Sequence, residues 1–393
     1  MREMKDFLFL IKREFKKMAT NSVVLAIFFG APILYGLLLG VVYEKGSAVD
    51  LPILVVDLDQ TALSSKVIDL LDDNEVLVVE LVKYDNEYLE ELVKSDQYKA
   101  VVTIPDRFEA DILQKRNPEV TVGINTANIV TANYSARGIQ YVMKTLQVGV
   151  EVEAMKKAGI PTAAAMDQYE PFSVNYERYY NETANYMRFL WPGMIGTIIQ
   201  QVFLLAVALT FAREFEESSW HEVVSVTRSP LKIIAVKIVP FLITGLFVLA
   251  SLAVMFPLFD IPLASNLWAL CVALMAFILP VIFLGILVSL AIPNQLKATE
   301  ILMVIATPSF VLSGFTWPLS QMPAGVAFLG KLIPLTHFLE AFRELSFYGS
   351  GLQDIMPEIK MLLLMALVLG VLSYGVVYYR INSSRVKPEK QIG

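Results

Sequence analysis

The chain has 393 residues, 55% hydrophobic and 18% charged, with a net charge of −6. Soluble domains carry about 25% charged residues, so the deficit speaks against an ordinary soluble protein. A single cysteine, Cys271, rules out a disulfide framework, and no nucleic-acid partner is expected.

Residues 1–21 read as an amphipathic helix. Met4, Phe7, Leu8, Ile11, Phe15 and Met18 recur at three- and four-residue spacing, with Lys5, Lys12, Lys16 and Lys17 on other faces. Such a helix beside a span lies in the membrane interface. Asp, Glu, Lys and Arg are then missing from 22–43, 189–212, 238–259, 261–296, 301–330 and 361–379. A bilayer core of ~30 Å takes about 20 apolar helical residues, which gives six spans near 22–42, 190–211, 238–258, 267–291, 301–317 and 361–379. A signal peptide is the other reading of the first stretch. Its core exceeds the usual ~7–15 residues and the preceding segment holds three acids, so an uncleaved span is expected.

Between the first two spans, 51–160 alternates strands and helices. Strands are predicted at LPILVVDLD, EVLVVELV, YKAVVTIP and EVTVGINT. Helices are predicted at Ser64 to Leu71, Asn86 to Lys94, DRFEADILQKR and Ile129 to Ala158. This alternation argues for a small α/β domain. Asp57 and Asp59 invite a metal or catalytic reading, but no His, Cys or further carboxylate at ligand spacing supports it, and acidic residues of a strand-end loop are the simpler account.

Orientation follows from the basic residues. Arg2, Lys5, Lys12, Arg13, Lys16, Lys17, Arg213, Arg228, Lys232, Lys237, Lys297, Arg380, Arg385, Lys387 and Lys390 gather on one side. The positive-inside rule places both termini in the cytoplasm and 44–188 outside, where charge has little say over a long domain. The fold class is therefore an α-helical integral membrane protein of about six spans with an inserted extracytoplasmic α/β domain. Residues 1–21 form a cytoplasmic interface helix, 22–43 the first span, 44–188 the external domain and 189–381 five further helices. The last unit includes a cytoplasmic loop at 212–237 and an external re-entrant segment at 317–360, and 382–393 is a basic cytoplasmic tail.

The 212–237 loop concentrates Glu214, Glu216, Glu217 and Glu222 around Trp220. Exposed acids around an aromatic suit docking on a partner, although composition alone favours a solvated helical turn. His221 has no partner at metal-ligand spacing. The GLLLG stretch at Gly36–Gly40 lets helices approach closely, within the chain or across a dimer.

Two segments carry a family resemblance. REFEESSWHEVVSVTRSPLKIIAVKIVP and LSGFTWPLSQMPAGVAFLGKLIPLTHFLEAFR together resemble the ABC-2 family of ATP-binding-cassette permeases. The first matches a motif of the form RE.E.GT.E followed by Pro and a Gly-Lys pair, with Ser218-Ser219 in place of Gly-Thr, His221 in place of the second acid, and Val236-Lys237 in place of Gly-Lys. The second supplies Ser313, Gly314, Pro318, Met322, Pro323, Pro334, Thr336 and Arg343 of the family signature. The external domain and the N-terminal IKREF resemble the subgroup with a large domain between spans one and two. The resemblance implies the permease subunit of an exporter for a drug, lipid, glycan or ion, in the plasma (bacterial inner) membrane. Arg213, Glu214, Glu216, Glu217, Trp220 and Glu222 would form the loop that docks on a separate ATPase subunit. That partner would hold ATP and Mg, with no cofactor on this chain and no hydrolysis by it. A second permease copy or sister permease, membrane lipids and an extracytoplasmic adaptor are the other partners implied.

Other function classes fit less well. GVAFLGKL at 325–332 nearly matches a P-loop, but Leu332 stands where Ser or Thr must hold magnesium. An ion-driven transporter usually places ionisable residues at the midplane, and the six spans have none. A receptor whose external domain binds a ligand needs a separate output chain, because the longest cytoplasmic segment is about 25 residues.

Overall fold

The computed structural model describes residues 2–85, 96–161, 177–264 and 266–383. The chain divides into two compact units, Ser47–Glu177 and the remainder. The helix expected at Asn86–Lys94 and the tail beyond Ser383 lie outside the described residues.

In the larger unit, helix α1 (Arg2–Ala19) ends two residues before α2 (Ser22–Leu25), which Asn21 caps by accepting from the amides of Val23 and Val24. A π-helical turn at Ala26–Gly30 leads into α3 (Ala31–Val42). Pro32 lacks an amide and its ring crowds the carbonyl four residues back, which accounts for the widened turn. The other long helices are α7 (Tyr186–Glu216), α9 (Pro230–Leu258), α10 (Leu267–Ala291), α11 (Gln295–Ala306, continued by α12, Ser309–Leu312) and α15 (Met356–Ser383). With Ser22–Val42 they make six helices long and apolar enough to cross a membrane. α10 is packed between α7 and α15. Several helices run past the charge-free gaps, α7 by three residues at its start and four at its end and α9 by eight at its start, because a helix need not stop where the bilayer does. Gly36 and Gly40 serve contacts within the chain: Gly36 meets Leu252 and Met255 of α9, and Gly40 meets Phe259.

The segment after α12 turns at Gly314 (φ +82) and forms α13 (Ala324–Lys331) and α14 (Pro334–Ser346), bent at 81° to each other. The signature residues hold this bend. The Ser313 hydroxyl donates to the Phe310 carbonyl, Pro318 and Pro323 precede short helical turns, and Thr336 Oγ1 donates to the Gly330 carbonyl at 2.7 Å. Pro334 begins α14, where its missing amide costs nothing. Arg343 donates to the Phe315 carbonyl at 3.1 Å and lies over that ring, while Met322 is half-buried.

The smaller unit has a four-stranded sheet in the order β2-β1-β3-β4, formed by β1 (Leu51–Asp57), β2 (Leu77–Lys83), β3 (Ala100–Ile104) and β4 (Thr121–Ile124). β1 is parallel to β2 and β3, and β4 is antiparallel to β3. Helices α4 (Ala62–Asp72), α5 (Phe108–Leu113) and α6 (Ile129–Lys157) share one core with it, built on Ile53, Val55, Val67, Leu71, Val102 and Ile139. α5 is shorter than DRFEADILQKR implied, since Lys115 takes a left-handed backbone (φ +57). Asp57 accepts from the amides of Asp59 and Gln60 and from Ser64 Oγ, and Asp59 accepts from Thr61 Oγ1 and the Glu109 amide. Both carboxylates shape the loop.

Candidate functional site

The cytoplasm-assigned end of the helical unit brings α1, the end of α7, the short helix α8 (Trp220–Val226) and the start of α9 around one carboxylate. Glu214 is fully buried. It accepts a two-pronged contact from Arg13 (2.7 and 3.0 Å), a bond from Lys237 Nζ (2.7 Å) and a short one from Ser219 Oγ, and Lys17 Nζ lies 3.2 Å away. A carboxylate has about four acceptor positions, so Glu214 is saturated. Lys237, also buried, reaches Glu14 at 2.9 Å, and Arg13 adds Glu14 and Glu222. Burial alone would lower the Arg13 pKa, but the bonds to Glu214 and the charges of Glu214 and Glu14 hold it above its ordinary value. With Arg213 and Glu217, four cations face four carboxylates across segments about 200 residues apart in sequence. Buried charges persist only when paired in this way.

Exposed acids around an aromatic were expected, and the structure corrects this for Glu214. Glu214 points inward, and Trp220 is 9% exposed, packed against Phe211 and Phe215. Glu216 accepts from Asn294 Nδ2 (2.7 Å) and the Gln295 amide (3.0 Å), which ties the loop to the start of α11. Glu217 accepts from Arg213 Nε at 2.7 Å; this bond, and then the charges of Arg213 and Lys17, hold its carboxyl below the usual range. Glu216 and Glu217 are exposed despite these bonds, and His221, Glu222, Ser225 and Arg228 form an outward-facing polar edge of α8 and its exit. Sequence reading left Arg13, Glu14, Lys17 and Lys237 out of the site. The available signal was Lys237 itself, a lone cation in the apolar run IIAVKIVP, since lysine is almost never buried unpaired.

α1 also differs from the expected stripe. Leu10, Glu14 and Met18 are its buried positions, and Met4, Leu8 and Phe9 stay exposed. The inward face must reach Glu214, which selects a row one helical step away from the Met4–Leu8–Phe15 row.

The sequence profile described as ABC-2 family transporter protein matches residues 22–374. The chain belongs to the ABC-2 transporter family. Among its relatives, the inner membrane transport permease YhhJ of Escherichia coli is 24% identical over 319 residues, covering 78% of this chain and 79% of that protein. The probable multidrug ABC transporter permease YbhS of Escherichia coli is 25% identical over 185 residues, 46% of this chain and 49% of the relative. ABC transporter G family member 20 of Dictyostelium discoideum is 23% identical over 354 residues, 87% of this chain and 46% of its own length. The chain thus spans about half the length of YbhS and somewhat less of the Dictyostelium protein. Permeases of the ABC-2 family are transporter subunits rather than enzymes, and the six apolar helices fit a multi-pass membrane protein. The ABC-2 motif carries Gly where this chain has Ser218, and Ser218 adopts φ +53. The backbone thus takes the glycine-favouring turn without glycine.

Proposed function

We propose that this chain is the membrane permease of an ABC exporter, moving a drug, lipid, glycan or ion out of the cytoplasm or inner leaflet. The ABC-2 match over 22–374 carries the reading. In it, ATP and Mg are held by a separate ATPase subunit that engages the 212–237 loop, and a second permease copy or sister permease completes the pathway. The buried cluster is what such a loop needs. Force applied at Glu222 and His221 reaches α1, α7 and α9 at once, because Glu214 joins all three. Both termini are cytoplasmic in this reading. Residues 44–188 form the extracytoplasmic α/β domain of the large-domain subgroup, facing substrate or an adaptor, and 317–360 is the external re-entrant segment.

The test is co-purification from the native membrane in mild detergent. His221→Ala with Glu222→Ala is the control, because both side chains are exposed and the fold tolerates their loss. An ATPase recovered with the wild type and lost with the variant supports the exporter and its docking edge. An ATPase retained by the variant moves the docking site elsewhere. A signalling protein recovered in place of an ATPase overturns the exporter reading in favour of a receptor.

A further inference from the structure

A half-open, shallow groove of about 40 Å³ lies where α1–α2, α7 and α9 converge. Its lining passes from charged to apolar along α1–α2 and along α7, and is apolar on α9. On α1–α2 it runs from Glu14 and Lys17 through Asn21 to Val24. On α7 it runs from Arg213 and Thr210 to Leu209 and Ala206, and on α9 it reaches Pro240 and Phe241. The apolar end is formed by residues of the first three candidate spans, and the charged end by residues next to the loop. The groove is therefore polar toward the cytoplasm-assigned side and apolar toward the bilayer, the polarity of a single amphiphile.

The charged end is cationic. Glu14 is already engaged by Arg13 and Lys237, while Lys17 and Arg213 are partly exposed and share Glu217 as a counter-ion, at 3.5 and 2.7 Å; Lys17 also lies 3.2 Å from Glu214 and donates to Ser219 Oγ. Glu217 is itself 42% exposed in its side chain. Ion pairs this open to water hold weakly and exchange readily for another anion. Basic pockets between spans on the cytoplasmic side suit phospholipid headgroups.

We propose that this groove binds an acidic phospholipid of the inner leaflet. Its phosphate takes Lys17 and Arg213 from Glu217, and an acyl segment lies along Val24, Leu209 and Phe241. The swap frees Glu217 and draws Lys17 away from Glu214, which keeps Arg13, Lys237 and Ser219, so lipid occupancy alters the outward face of the loop. Binding itself requires only that the chain sits in a membrane; the consequence for coupling rests on the exporter reading.

The test uses the purified full-length permease without an ATPase, so its failure leaves the exporter reading untouched and the loss of an ATPase partner leaves it intact. Retained phosphatidylglycerol and phosphatidylcholine are counted by native mass spectrometry, with soluble glycerol 3-phosphate as competitor. Wild type should favour phosphatidylglycerol by about tenfold, as one or two charge-assisted hydrogen bonds imply. Lys17→Gln with Arg213→Gln should abolish the preference. Glu217→Gln, which removes the competing anion, should raise it, and this gain cannot be mistaken for misfolding. Equal retention of the two lipids by wild type, or no gain in Glu217→Gln, overturns the proposal. So does displacement of the lipid by glycerol 3-phosphate at equal concentration, which would assign the groove to a soluble phosphate.

Discussion

Glu214 and Lys237 are both buried and 2.7 Å apart, whereas Glu222 meets the same Arg13 with its side chain 60% exposed. Removing one partner from a buried charge network costs about 3–5 kcal/mol, and an exposed pair about 0–1 kcal/mol. Lys237→Met is therefore expected to lower the thermal unfolding midpoint in detergent sharply, and Glu222→Ala to leave it nearly unchanged. Equal effects would mean that the cluster is not buried in solution. Ser218 offers the opposite change. At φ +53 a glycine relieves the left-handed strain, so Ser218→Gly should stabilise the chain by up to about 1 kcal/mol, measured by the same unfolding curve. Glu217 sets a pH dependence. Its depressed carboxyl stabilises the loop at every pH above the ordinary carboxylate range, and this contribution falls away only as the pH drops through the depressed value. Hydrogen exchange of the 219–226 amides, corrected for intrinsic rate, should stay level from pH 8 to pH 5 and rise only in stronger acid. Glu217→Gln should lack that acid-dependent step. The sequence grouped these acids in one loop but did not show that Glu214 turns inward, because the cations that hold it lie on α1 and α9, far away in the chain.

At the scale of elements, the charge-free gaps located all six spans, since hydrocarbon excludes charge wherever the helix meets it. They understated helix length because α7 and α9 continue past the apolar stretch, and these extensions hold Arg213, Glu214 and Lys237. The bend between α13 and α14 falls inside the 317–360 segment expected to be re-entrant, but its angle was not legible. Its geometry depends on side chains meeting across the turn. Gly330 is the tightest of these contacts, since a Cβ there would lie 2.5 Å from the Leu312 carbonyl oxygen, a backbone atom that cannot rotate away. Gly330→Ala should therefore separate α12 from α13 and cost about 1–3 kcal/mol, as overpacking does. Limited proteolysis within 313–323 reads this out, and an unchanged cleavage pattern would count against the tight contact. The Gly-Lys pair that nearly made a P-loop thus has a packing explanation.

At the scale of the whole molecule, the two units are independent in their cores: Ile53, Val55, Val102 and Ile139 belong to one cluster and Phe28, Trp191, Phe203 and Phe277 to another. The helical unit also fastens its own ends where the other unit leaves and returns. The Tyr186 amide donates to the Gly46 carbonyl at 2.6 Å, and the rings of Tyr43 and Tyr186 lie 5.8 Å apart. The first and second spans are therefore held together without help from residues 47–177. Replacing that segment with a short Gly-Ser linker should leave the helical unit inserted and folded, with helicity and unfolding midpoint close to wild type, because the loop-closure entropy of a shorter connection is no greater. Expressed alone, Ser47–Glu177 should give a soluble, cooperatively unfolding protein. If the excised permease unfolds or fails to insert, the division into two cores is wrong. If it folds and keeps its ATPase but loses transport, the inserted unit acts on the substrate path.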